Sequence, residues 1–150
     1  MAQGKGLQVA MEAAQRQRDA AMQRLAQKRQ ARQLGQQQLD QLTGYATETE
    51  QRSILRGQIG TSPEVMQHHL QFMARLEQTI ELQKTQMGLH DEAVQEAERQ
   101  LLMAELRLVS LRQVVQRRER DAALSQQRRE QKELDEMAAS RYRLMTQATA

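Results

Sequence analysis

The feature that most constrains the fold is an apolar repeat that runs from Met66 to Val115. Apolar residues recur there at alternating steps of three and four, with few polar exceptions. This 3.5-residue spacing is typical of a helix that buries a narrow stripe against a partner helix in a coiled coil. The repeat passes through Met66, His69, Met73, Leu76, Ile80, Gln83, Met87, His90, Val94, Ala97, Leu101, Ala104, Leu108, Leu111 and Val115.

A second, less regular repeat starts at Leu7 and is interrupted by Lys28 and Arg32. Only 39% of the chain is hydrophobic and 2% aromatic, which suits long helices with one buried stripe better than a globular core. Disorder is the competing interpretation of so polar a chain, and the regular spacing argues against it. The second repeat passes through Leu7, Met11, Ala14, Arg18, Ala21, Leu25, Lys28, Arg32, Gly35, Leu39, Leu42, Ala46 and Thr49.

The segment GQIGTSPEVM, residues 57–66, separates the two repeats and contains the only proline. Gly57 and Gly60 can take the positive φ that ends a helix. Thr61 or Ser62 can then cap the next helix with a hydroxyl group. These signals leave about four residues between the helices, as in an antiparallel helical hairpin. A flexible linker between domains would usually be longer.

Pro63 suits the first turn of the second helix, and Glu64 would complete a capping box with Thr61. We therefore predict an all-α fold, an antiparallel two-helix coiled-coil hairpin whose longer second helix overhangs the first. The predicted elements of this single domain are a helix at about 6–57, a bend at 58–61 and a helix at about 62–144.

The bend also predicts a register. Folding the chain about positions 59–60 places residue i opposite about residue 119 − i. Leu42 then lies beside Leu76, Leu7 lies opposite Arg112, and the first helix runs out opposite about Val115, where the apolar repeat also ends. At about 1.5 Å per residue the helices would be about 75 Å and 120 Å long, and the overhang about 45 Å.

The sequence offers little for catalysis. It has no cysteine, no glycine-rich phosphate loop and no nucleophile motif. The adjacent residues His68 and His69 would point about 100° apart on a helix and could not share a metal ion. We therefore expect no enzyme, no metal site and no cofactor. No signal peptide is recognisable and no run approaches the roughly 18 apolar residues of a spanning helix, so we expect a cytoplasmic protein without direct membrane insertion.

The charge is unevenly distributed around a net value of +3. Residues 1–32 carry seven basic against two acidic residues, residues 33–115 seven against eleven, and residues 116–150 eight against six. Acidic residues are interleaved with the basic ones and no base-reading motif is present, so we expect an acidic protein partner rather than nucleic acid. A nucleic-acid-binding or purely structural coiled coil remains the alternative.

The few aromatic residues suggest a surface. Tyr45 and Phe72 each lie one position off a repeat, and the predicted register makes them neighbours across the hairpin. They could broaden a thin core near the bend, or form a docking patch for a partner. Helical spacing extends this patch through Gln38, Leu42, Thr49, Leu76, Thr79 and Gln83.

Three segments resemble a known family over nearly the whole chain: LDQLTGYATET, GQIGTSPEVMQHHLQFMARLEQTIELQ and RRERDAALSQQRREQKELDEMAASR. A Leu-x-x-Tyr motif before a glycine-containing bend, followed by Phe-x-x-x-Leu-Glu-x-x-Ile, is a fairly specific combination. These features resemble the FliJ family, the small coiled-coil components of the bacterial flagellar type III export apparatus. The resemblance implies a cytoplasmic two-helix coiled coil, similar to the stalk of rotary ATPases, at the inner face of the cell membrane.

The resemblance also implies three partners: the hexameric export ATPase, the cytoplasmic region of the export-gate membrane protein, and the chaperones of late export substrates. Thr49, Thr79 and Gln83 stand where other members of the family carry different residues, so the resemblance does not assign them to the gate-binding surface. A virulence type III secretion stalk shares the architecture and remains an alternative. The gate-binding residues that match are Gln38, Leu42, Tyr45, Phe72 and Leu76. The ATPase-binding candidates, by region and charge only, are Arg16, Arg18, Arg24, Arg117, Arg118 and Arg120.

Overall fold

The computed structural model describes residues 2–149, with side chains from residue 4 onward. It contains two α-helices, α1 (Ala2–Ile59, 58 residues) and α2 (Pro63–Ala148, 86 residues). The chain divides into two compact units. Unit 1 comprises Met1–Gln15 with Leu106–Ala150, and unit 2 comprises Arg16–Glu105. Neither helix contains, in the described part of the chain, a stretch with the length and apolar character needed to cross a bilayer.

In unit 2, α1 and α2 run antiparallel on either side of the bend, so the predicted helical hairpin is confirmed. Its buried residues follow the two predicted repeats. Leu25, Val94 and Ala97 form a buried apolar cluster, and Leu101 packs against it. Lys28 is an exception, because it lies on the repeat but is exposed. Burying its ammonium group without a partner would cost far more free energy than the apolar contacts of the seam, the buried stripe that the two repeats form between the helices, could contribute.

In unit 1, the pairing stops where the second repeat ends. Ala14 and Leu108 are 2% and 1% exposed, and Val115 is the last partly buried residue. Every residue from 116 to 149 is exposed, although the helix continues to Ala148. Within this unit α2 therefore extends beyond its pairing with α1, as the predicted overhang requires.

A glycine ends α1. The N–H of Gly60 donates to the carbonyl of Arg56 at 3.0 Å, and Gly60 has a φ of 102°. This left-handed residue just beyond the helix satisfies one of the carbonyls that the last turn leaves free. Gly57, the other predicted stop, lies within the helix and has no positive φ.

A serine caps α2. The hydroxyl of Ser62 accepts a hydrogen bond from the N–H of Val65 at 3.3 Å, and Pro63 is the first helical residue. The predicted capping box between Thr61 and Glu64 is wrong: the described residues show no hydrogen bond from the backbone of Thr61 to Glu64. Because proline fills the first helical position, the cap falls on the residue immediately before it.

The positive φ at the bend leads to the first prediction. Gly60→Ala should lower the free energy of unfolding by about 1 kcal/mol, because a side chain is strained in the left-handed region. Gly57→Ala is the matched control, since it lies in a helix with open space around its Cβ position and should stabilise by up to about 1 kcal/mol. Thermal unfolding followed by circular dichroism compares the two. Equal shifts at both positions would contradict a role for the positive φ.

The predicted register holds in unit 2 for the Gly35–Gln83 contact, whose residue numbers total 118, and long ion pairs join residues with higher totals. The two residue numbers total 119 for the Glu50–His69 contact, which joins side chains at 3.4 Å. They total 123 for Arg32–Asp91 and 127 for Arg29–Glu98, at 3.8 Å and 3.4 Å. Each Cα–Cβ bond leans toward the N-terminus of its own helix. In antiparallel helices, two long side chains that meet therefore belong to residues whose numbers have a higher sum than those of residues directly opposite each other on the backbone.

Candidate protein-interaction surface

The two central aromatic residues of the predicted patch are in contact in unit 2. The ring centroids of Tyr45 and Phe72 lie 6.0 Å apart, with the ring planes at 85°. This is an edge-to-face pair, the arrangement that the charge distribution of aromatic rings favours. The side chains are nevertheless 50% and 40% exposed. The predicted neighbourhood is confirmed, and both residues keep a large part of their surface accessible to a partner.

Leucine side chains of the seam flank this pair. Leu76 lies one turn after Phe72 and is 8% exposed, while Leu42 lies one turn before Tyr45 and is partly buried. Residues three or four apart on a helix share a face. The leucines therefore anchor the patch to the core, and the aromatic rings provide its outer surface.

Glutamine side chains lie at the edge of the patch farther from the bend. The Nε2 of Gln83 donates to the carbonyl of Gly35 at 3.0 Å and to the Oε1 of Gln38 at 3.4 Å. Gln83 thus joins α2 to α1 through the backbone of a residue that has no side chain. Gln38 is exposed and held at this edge, while Gln83 is partly buried and serves the helix pairing.

The two threonines of the patch direct their hydroxyl groups to their own helices. The hydroxyl of Thr49 donates to the carbonyl of Tyr45 at 2.8 Å, and that of Thr79 donates to the carbonyl of Arg75 at 3.0 Å. Such local bonds are typical of threonine within a helix. They use the only donor of each side chain, so neither hydroxyl is free to donate to a partner in this arrangement.

A cleft next to the patch was not anticipated from the sequence. It lies between α1 and α2 at the bend, has a volume of about 160 Å³, and shares Tyr45 with the patch. Its walls include Arg52 and Arg56 on α1, and Val65 and Met66 on α2. The only sequence signal was two arginines four residues apart beside a bend, which by itself is common on a solvated helix.

The six arginines proposed to meet an ATPase are divided equally between the units. Arg16, Arg18 and Arg24 belong to unit 2, and the guanidinium of Arg18 pairs with Asp19 at 3.0 Å. In the part of the chain that the structure describes, neither Arg16 nor Arg24 has a carboxylate at ion-pair distance. Arg117, Arg118 and Arg120 belong to unit 1 and are all exposed.

Long paired helices with a half-exposed aromatic pair beside the buried stripe define a coiled-coil protein with a candidate interaction surface. A family model described as Flagellar FliJ protein matches residues 4–146. The chain therefore belongs to the FliJ family, and the resemblance seen in its sequence is confirmed. No curated protein and no solved structure matched the chain.

Family membership makes this chain a coiled-coil protein of flagellar type III export. The family consists of structural components that associate with the export apparatus, rather than of enzymes. Of the alternatives that the sequence left open, the match favours the flagellar one over a virulence stalk or a nucleic-acid-binding coiled coil.

Proposed function

We propose that this protein is the stalk of the flagellar export apparatus, which links the hexameric export ATPase to the export gate. It would work in the cytoplasm, at the inner face of the cell membrane, through contacts with the apparatus. Its action is mechanical coupling between proteins, without chemistry of its own. A further role with the chaperones of late export substrates rests on the family resemblance alone.

The observation that carries this proposal is the exposed aromatic pair. The chain has only three aromatic residues, and two of them lie together on the outside of the hairpin in unit 2. Aromatic side chains dominate the binding energy of protein interfaces, because they bury a large area with little loss of side-chain freedom. We assign Gln38, Leu42, Tyr45, Phe72 and Leu76 to contact with the cytoplasmic region of the gate protein.

The arginines support contact with the ATPase through charge. Residues 1–32 carry seven basic residues against two acidic ones, and Arg16 and Arg24 are exposed. Exposed arginines can form bidentate hydrogen bonds with carboxylates of a partner. The candidates within unit 1 and those within unit 2 are to be tested by separate charge-removing variants.

The second prediction tests the patch. The double variant Tyr45→Ala/Phe72→Ala should weaken binding of the gate's cytoplasmic region by about thirtyfold or more, because central aromatic residues of an interface cost about 2 kcal/mol or more when truncated. Stimulation of the export ATPase should stay unchanged. Binding is measured by titration calorimetry, ATPase activity by phosphate release, and function by motility in soft agar.

The third aromatic residue supplies the matched control for this variant. Tyr142 is 69% exposed in unit 1, so Tyr142→Ala removes an aromatic ring outside the patch and should leave gate binding intact. Unfolding curves of all variants separate loss of contact from loss of structure. Normal gate binding and normal motility of the double variant would remove the patch assignment.

A further inference from the structure

The heptad pairing does not explain the cleft at the bend. Along the seam of unit 2, apolar side chains fill the space between α1 and α2. At the bend the helices leave an opening of about 160 Å³ instead. Val65 and Met66, which line it, are 48% and 42% exposed although Met66 lies on the apolar repeat. The opening is comparable in size to one large side chain.

Two arginines line this opening, and neither forms an ion pair in the part of the chain that the structure describes. Arg52 and Arg56 lie one turn apart on α1, and both line the cleft. Within residues 4–149, no carboxylate forms an ion pair with either guanidinium group. Glu50, the acidic residue nearest to Arg52 in sequence, instead contacts His69 at 3.4 Å. Two guanidinium groups beside a cleft that Val65 and Met66 line on its other side thus have their charge available to a ligand.

Helix stability accounts for only part of this arrangement. Arg56 lies in the last turn of α1, where a positive charge interacts favourably with the helix dipole. Arg52 lies a full turn earlier, and the dipole effect falls off within the last turn. The helix dipole therefore does not account for the position of Arg52 on the cleft wall.

We propose that this cleft binds a segment of a partner protein in which an apolar side chain stands beside one or two carboxylates. The apolar side chain enters the opening against Val65 and Met66, and the carboxylates pair with Arg52 and Arg56. Tyr45 lines both the cleft and the aromatic patch, so one partner can cover both surfaces. The identity of that partner as the gate protein rests on the proposed function, whereas the chemistry of the segment rests on the cleft.

Three labelled peptides test the chemistry directly by fluorescence anisotropy. One alternates aspartate with leucine, one lysine with leucine, and one aspartate with serine. The intact protein should bind the first and neither of the others, with an affinity that falls as salt is raised. Arg52→Gln/Arg56→Gln should weaken that binding about tenfold or more. Glutamine is chosen because a carboxylate in the last turn would oppose the helix dipole.

The control variant is Arg75→Gln, which removes one exposed arginine of α2 that does not line the cleft. It should leave peptide binding unchanged. Binding of all three peptides alike, an equal loss in the control variant, or no binding of the aspartate–leucine peptide would each overturn the proposal. Val65→Ser should also weaken binding, and its exposed position leaves the fold intact.

The gate's cytoplasmic region separates this proposal from the proposed function. If that region binds and depends on Tyr45 and Phe72 but not on the two arginines, and the peptide fails to bind, the cleft proposal is wrong and the gate contact stands. If the peptide binds through the arginines while the gate region does not bind at all, the cleft proposal stands and the gate contact is wrong.

Discussion

Replacing Val94 by aspartate is expected to separate the two helices of unit 2. Val94 is 2% exposed and belongs to the buried cluster with Leu25 and Ala97. A carboxylate at this position would be removed from water with no cationic partner in that cluster, a change among the most destabilising that a single substitution can make. We expect a loss of about 3 kcal/mol in the free energy of unfolding.

The adjacent residue provides the matched control. Gln95 is exposed, so Gln95→Asp adds the same charged side chain one position away and should change stability by less than about 0.5 kcal/mol. Thermal unfolding by circular dichroism should show Val94→Asp melting about 10 °C or more below the control. Similar melting of both variants would mean that the apolar cluster does not hold the helices together.

The fold could be predicted because the spacing of apolar residues determines which face of each helix is buried. The repeat from Met66 to Val115 and the weaker one from Leu7 to Thr49 contain nearly all of the buried positions. Among the residues of the two repeats, only Lys28 and Met66 are exposed. A two-helix seam has one buried stripe per helix, so heptad spacing and one bend specify nearly everything about it.

The local details of the bend could not be predicted with the same success. The sequence offered two glycines for the end of α1 and two hydroxyl residues for the start of α2. Gly60 and Ser62 take these roles, and Gly57 continues the helix. Pro63 at the first helical position places the cap on Ser62. The choice between the two glycines depends on how far α1 extends along the hairpin, which single-residue signals do not contain.

The candidate site was predictable in part. Tyr45 and Phe72 could be paired because each lies one position from a repeat, and position in a repeat fixes direction around a helix. The cleft at the bend could not, since it depends on how far the helices diverge there. The charges of Arg52 and Arg56 gave no sign that both line one opening with Val65.

Gly35 lies where α2 comes close to α1 in unit 2. A Cβ atom built there would lie 2.9 Å from the sulfur of Met87 and 3.1 Å from the ring of His90. Gly35→Leu would gain about 1 kcal/mol of helix propensity, but overpacking of such a contact costs about 1–3 kcal/mol. It would also crowd the bond between Gln83 and the carbonyl of Gly35. We expect a net loss of stability.

A size exchange across the seam should restore what this substitution removes. Met87→Ala alone should cost about 2–3 kcal/mol, because Met87 is buried and its removal leaves a void. In Gly35→Leu/Met87→Ala the leucine can occupy that void, so the double variant should be more stable than the two single losses predict by about 1 kcal/mol or more. Denaturant unfolding of the four proteins measures this coupling.

An exposed glycine of α1 provides the control for this coupling. Gly44 is helical and has open space around it, so Gly44→Leu should gain the same helix propensity without a clash. Combined with Met87→Ala it should give an additive result, since no contact joins the two sites. If Gly35→Leu and Met87→Ala were also additive, the small residue at position 35 would serve only helix flexibility. Coupling there and additivity at Gly44 would instead show that the methionine of α2 packs into the space that the glycine of α1 leaves open.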